Sequence, residues 1–142
     1  MSRHLLSVLA FVGATFLTQA ASHFGVNAEH YRAVVHLRAE PIFPLGILAM
    51  LIQGSILSYL YAGTRFARRL IRDAVVFAWL AGGFLVSYIA IAEAAKYRVP
   101  RIGSWIAVEA IAGFAQFTIY GILLGLIHRK SDQKLAGTGS PT

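Results

Sequence analysis

Apolar residues in this chain come in long runs separated by short polar stretches, and run length sets the first expectation. Residues 44–63, 74–92 and 102–127 are each about as long as, or longer than, the roughly 20 residues an α-helix needs to cross a hydrocarbon core. Residues 5–21 form a fourth, slightly shorter run. In hydrocarbon every backbone N–H and C=O must be bonded internally, so runs of this kind cross as helices. Short connections between them make successive spans antiparallel. The pattern therefore predicts an all-α integral membrane protein: an antiparallel four-transmembrane-helix bundle with a short outer amphipathic helix between spans 1 and 2. Its single transmembrane domain covers residues 1–130, and a polar, Gly-containing tail over residues 131–142 is expected to be a disordered cytoplasmic segment. The last run is long enough to cross with some tilt.

The first run follows Met1, Ser2, Arg3 and His4, the basic start of a secretory signal peptide. Thr18, Gln19 and Ala20 make a poor cleavage site, and apolar residues resume at Phe24 and Val26. A retained helix is the expectation; cleavage would leave the other spans in the same orientation. Residues 22–43 form the longest polar interruption and carry His23, His30 and His36. Within them Asn27 is placed to cap a helix over residues 28–38. On that helix Arg32, His36 and Glu40 would share one face, and Ala28, Tyr31 and Val35 an apolar face lying on the membrane surface. Pro41 and Pro44 close it.

Composition strengthens the picture, since 57% of residues are hydrophobic and 13% charged, against about 25% charged in soluble domains. The formal charge of +7 could suggest a nucleic-acid partner, but the basic residues stand at the ends of apolar runs. Arg65, Arg68, Arg69 and Arg72 fill one connection, where they mark topology and attract anionic lipid headgroups. One side collects eight basic residues: Arg3, these four, Arg129, Lys130 and Lys134. The other collects five: Arg32, Arg38, Lys96, Arg98 and Arg101. The bias places both termini in the cytoplasm, across the cell inner (plasma) membrane. Absence of cysteine removes disulfides, thiolate nucleophiles and iron–sulfur ligation.

Polar residues inside a bilayer are expensive and are expected to face protein. At about 100° per residue, Trp105, Glu109, Gly113, Gln116 and Tyr120 form one stripe on the last span. The matching lines are Gly46, Ala49, Gln53 and Leu57 on the second span, Gly82, Val86, Ile89 and Glu93 on the third, and Val8, Val12, Thr15 and Gln19 on the first. Convergence of these lines would make a polar funnel opening outward, with Glu93, Glu109, Gln53, Gln116, Tyr120 and Gln19 as ligand- or ion-pathway candidates. The structural alternative has Gln53 bonding Gln116, Glu93 pairing with Lys96 or Arg98, and one of Lys96, Arg98 or Arg101 reaching Glu109.

His23, His30 and His36, with Glu29 and other carboxylates, are weak metal candidates because they follow no compact ligand spacing. No motif implies a cofactor. Gly121 and Gly125 form a GxxxG pattern, and Gly54/Ser58 and Gly83/Ser87 repeat the small-xxx-small spacing that lets helices approach, within a chain or between subunits. Neither a phosphate-cradling loop nor a nucleophile elbow is present. The leading expectation is a non-enzymatic accessory or assembly subunit of a membrane complex. The alternative is binding or translocation of a cation, proton or small polar molecule through the outward cavity. A membrane enzyme or redox component using the histidines is the weakest.

Overall fold

The computed structural model describes residues 2–34, 38, 40–64 and 70–129. The predicted tail, His36, Val35, Arg65, Arg68 and Arg69 lie outside them. Every regular element among the described residues is helical: α1 (Arg3–Ala20), α2 (Ala28–Arg32), α3 (Phe43–Gly63), α4 (Ile71–Ser87), α5 (Glu93–Lys96) and α6 (Ile102–His128). Ala21–Val26 continues α1 as a π-helical segment, and Tyr88–Ala92 joins α4 to α5 in the same way. Four continuous helices result, Arg3–Val26, Phe43–Gly63, Ile71–Lys96 and Ile102–His128, each long and apolar enough to cross a membrane. Ser2 starts the first, its hydroxyl accepting from the Leu5 N–H at 3.2 Å, and Pro44 sits in the first turn of α3, where its missing N–H costs nothing.

Two boundaries differ from the expectation for a physical reason. The first helix continues past Ala21 because Ser22 is not an exposed terminator: its side chain is buried and accepts a 3.0 Å hydrogen bond from the Asn27 amide. That bond uses the side chain expected to cap the next helix, so α2 has no side-chain cap and stops at Arg32. Tyr31, expected on the membrane surface, is 6% exposed and points into the protein.

α6 is the central element, and glycine makes it so. A Cβ on Gly121 would stand 2.8 Å from the Cα of Val75, and one on Gly125 would stand 2.8 Å from the Cα of Ile71. The two backbones are therefore in near contact. Further along, Phe117 presses on Gly82 and Val86 on Gly113. On its other side α6 meets α1, where the Phe11 ring lies 6.1 Å from Phe117 and 5.1 Å from Tyr120. α3 leans on α1 through Gly54, beside Phe11 and Val8, and through Ser58, bonded to His4 at 2.9 Å. The helices thus form a row in the order α3, α1, α6, α4. The row curls so that Tyr61 of α3 reaches Phe77 of α4, ring centroids 5.2 Å apart. Phe11, Tyr61, Phe77, Phe117, Tyr120 and Leu124 form the main core there, and Tyr31, Val34, Ala94 and Trp105 form a smaller one at the other end.

The small-residue seams at Gly121/Gly125 and Gly54/Ser58 are thereby closed within the chain. The third is not: Gly83 has no heavy atom within 4 Å of a built Cβ, and Ser87 is exposed with its hydroxyl bonded to the Phe84 carbonyl at 2.9 Å. Its neighbour Gly82 makes the contact instead, one residue out of the expected register.

Candidate functional site

The smaller core is built around one carboxyl group. Glu109, in the fourth long helix, is 7% exposed and accepts a 2.7 Å hydrogen bond from the Tyr31 hydroxyl. The expected basic partners, Lys96, Arg98 and Arg101, are replaced in this role by a phenol carried in from α2. The same hydroxyl lies 3.4 Å from Ser22 Oγ, and the Tyr31 ring stacks on His23 at 3.7 Å with a 12° tilt. Trp105 closes the cluster by donating to the Ile89 carbonyl at 3.3 Å, a group in the π-helical segment of the third helix. π-helical turns break the regular i to i−4 ladder, and here an indole N–H meets one of its carbonyls.

Burial pushes the Tyr31 phenol above its ordinary value, with Glu109 adding to the rise and the Ser22 hydrogen bond opposing it. A phenol shifted this way keeps its proton in the folded chain and loses it first in the unfolded one. Its stabilising contribution is complete below the ordinary phenol value of about 10 and declines as pH rises from there through the folded value. Thermal unfolding between pH 9 and 11 is expected to show a steeper alkaline decline for the unmodified protein than for Tyr31→Phe. Equal slopes would remove Tyr31 as the cause.

Beside this cluster a cavity of about 410 Å³ opens between the four helices, at the end where α3 no longer reaches α4. Thr15, Phe16, Gln19, His23 and Phe24 line it from the first helix; Phe43, Gly46, Met50 and Gln53 from α3; Leu85 and Ile89 from the third helix; and Gln116 from α6. At its base the Gln19 amide N–H donates to Gln116 Oε1 at 3.0 Å. The partner of Gln116 is thus Gln19, not Gln53 as expected, because α3 packs on α1 and not on α6.

The pathway candidates therefore separate. Gln19, Gln53 and Gln116 share the cavity; Glu93 and Glu109 are not among the residues lining it. Tyr120 is 0% exposed in the main core, and its hydroxyl has no hydrogen-bond partner among the described residues. The inward stripe of α6 is as expected, with Trp105, Glu109, Gly113, Gln116 and Tyr120 all buried. On α3 the expected line borders the cavity at Gly46, Ala49 and Gln53 and packs on the core at Leu57, while Gly54, Ser58 and Tyr61 are the fully buried residues.

No three His, Asp or Glu residues among those described lie close enough to share a metal ion. His23 stacks on one face of the Tyr31 ring, while His30 meets that ring edge-on and lies 5.9 Å from Trp105. Glu29 is exposed. The opposite end of the molecule holds polar pairs that the apolar pattern did not suggest, Ser7 with His128 at 3.1 Å and His4 with Ser58 at 2.9 Å. Arg72 is there also, 3.7 Å from Asp73 with its side chain 83% exposed. His23 lies at the cavity, in the histidine-bearing segment expected over the mouth of the funnel, whereas Tyr31 as the partner of Glu109 carries no signal in the sequence pattern. Compared with protein-family models, curated proteins and solved structures, the chain matches none.

Proposed function

We propose that this chain is a multi-pass protein of the cell inner membrane that binds a small, uncharged, membrane-dissolved molecule in the cavity beside His23. Four spans as an antiparallel bundle are supported by contacts that ascend one helix as they descend the next: Ile71 meets Gly125, Val75 meets Gly121 and Val86 meets Gly113. Membrane insertion is supported by large apolar side chains turned outward, such as Phe84 at 84% exposure and Leu48 at 53%, a surface that water would penalise. The excess of basic residues beside Arg72 supports cytoplasmic termini, with anionic headgroups around that connection.

The observation that carries the binding reading is the cavity itself. Its volume of about 410 Å³ falls in the range of roughly 300–1,000 Å³ typical of ligand sites. Its walls are mainly apolar, and its polar groups are amides, a threonine and a histidine. Among the described residues no carboxylate and no basic side chain other than His23 lines the cavity, so an ion would be desolvated with little compensation. This moves the reading from a cation or proton to a neutral molecule. Gly46 has open space where a Cβ would stand, so Gly46→Trp fills the cavity without disturbing a packed seam. Mass spectrometry of the protein purified in mild detergent is expected to show a bound neutral lipid that is lost in this variant. Purified protein that holds no such molecule and binds none added back would sink the proposal.

A second reading, the accessory or assembly subunit, draws on the uncovered Gly83 and Ser87. Mass measurement in gentle detergent tests it; a strictly monomeric particle carrying no other polypeptide would count against it.

A further inference from the structure

Resting on that binding reading, we propose that the ligand is a lipid with a flat, uncharged ring bearing two opposed oxygens, the chemical class of prenylated quinones and quinols. The cavity has two separate polar positions. One is the base, where the Gln19–Gln116 bond uses one amide N–H and one carbonyl. That leaves the Gln19 oxygen and the Gln116 NH₂ as acceptor and donor, with the Gln53 amide offering both. Thr15 also stands on the cavity wall beside them.

The second position is His23. It lines the cavity roughly one helical turn beyond Gln19 on the same continuous helix, so both polar positions open onto the same space. A carbonyl could accept from the amide at one side and from the imidazole at the other; a quinol hydroxyl could donate to the same groups, since amide and imidazole serve either role.

The preference for a ring comes from planarity and rigidity. His23 is held flat against Tyr31 at 3.7 Å, and Tyr31 is anchored by its bond to Glu109, so the imidazole plane is fixed before any ligand arrives. Phe16, Phe24 and Phe43 supply aromatic walls, which favour offset or edge-on contact with a ring over contact with a flexible acyl chain. α3 and the third helix meet at the Tyr61–Phe77 end, and a prenyl tail would leave the cavity between them toward lipid at the other end.

The full chain in nanodiscs, titrated with a decyl-substituted benzoquinone, tests this against monoolein, which is neutral without a ring, and decanoate, which is charged. The quinone is expected to bind saturably and about tenfold more tightly than either, the worth of one to two added hydrogen bonds. His23→Phe keeps a ring to stack on Tyr31 but removes the imidazole nitrogens, and Gln53→Leu removes an amide that no packed seam depends on. Each is expected to weaken quinone binding about five- to tenfold while the size-exclusion profile stays unchanged. Monoolein binding as well as or better than the quinone, or variants without effect on quinone affinity, would overturn the ligand class and leave the cavity reading standing. Saturable binding of none of the three would overturn both.

Discussion

Alanine at Gly121 is expected to cost about 1–3 kcal/mol of stability, the usual penalty for adding a methyl group where no space exists. The added Cβ would meet the Val75 Cα at 2.8 Å, the Ala78 Cβ at 3.0 Å and the Ala74 carbonyl oxygen at 3.2 Å. These are backbone and near-backbone atoms, which cannot rotate away as the end of a flexible side chain would. The third and fourth long helices would have to separate, loosening the Phe117 contact with Gly82 further along the same interface. Leucine should cost more than alanine. Gly83→Ala is the control: nothing lies within 4 Å of its Cβ, and its cost should stay within about 0.5 kcal/mol. Denaturant-induced unfolding in detergent micelles reads both. Equal stability of Gly121→Ala and the unmodified chain would mean that the two backbones are not this close.

Removal of the Tyr31 hydroxyl is expected to have the second large effect. In Tyr31→Phe the Glu109 carboxyl stays buried while its 2.7 Å donor is lost, which should cost about 1–3 kcal/mol. Glu109→Leu should cost less than this, because the phenol keeps Ser22 Oγ at 3.4 Å as a partner. Glu109→Gln keeps an acceptor in place and should cost less than about 1 kcal/mol. If the two groups are each other's partners, the double variant Tyr31→Phe/Glu109→Leu must cost clearly less than the sum of the singles. Additivity to within about 0.5 kcal/mol would show that the bond is not the source of the effect. Because Glu109 does not line the cavity and glutamine keeps an acceptor for the Tyr31 phenol, Glu109→Gln should leave ligand affinity there nearly unchanged; a lost affinity would mean that the amide no longer holds Tyr31 and the His23 stacked on it in place.

The difference between what the sequence displayed and what it concealed follows from helix regularity. α6 is an unbroken helix from Ile102 to His128, so a constant angular step holds along it and places Trp105, Glu109, Gln116 and Tyr120 correctly on one buried side. The wheel on α3 reports direction without reporting neighbours. α3 touches the chain mainly along α1, so Gly54, Ser58 and Tyr61 face inward and the more polar line at Gln53 borders a cavity. Charge matching suggested Lys96, Arg98 or Arg101 for Glu109, whereas the chain reversal at Asn27 delivers Tyr31. That reversal depends on side-chain bonds between residues 22 and 27, which no periodicity encodes. Polar Ser22 and His23 resembled the end of a span for the same reason.

The two π-helical segments make the length of these helices a matter of register as well as reach. A π-helical turn accommodates an extra residue within an otherwise α-helical path. Deleting one residue from Tyr88–Ala92 would let the third helix relax to an unbroken α-helix of nearly the same length. Everything beyond it would keep nearly the same facing, leaving Ala94 against Trp105 and Tyr31. A deletion in the regular part of α4 would instead shift its contacts with Gly121 and Gly125. In this fold the same loss of a single codon would therefore be absorbed or disruptive, according to which side of Tyr88 it fell.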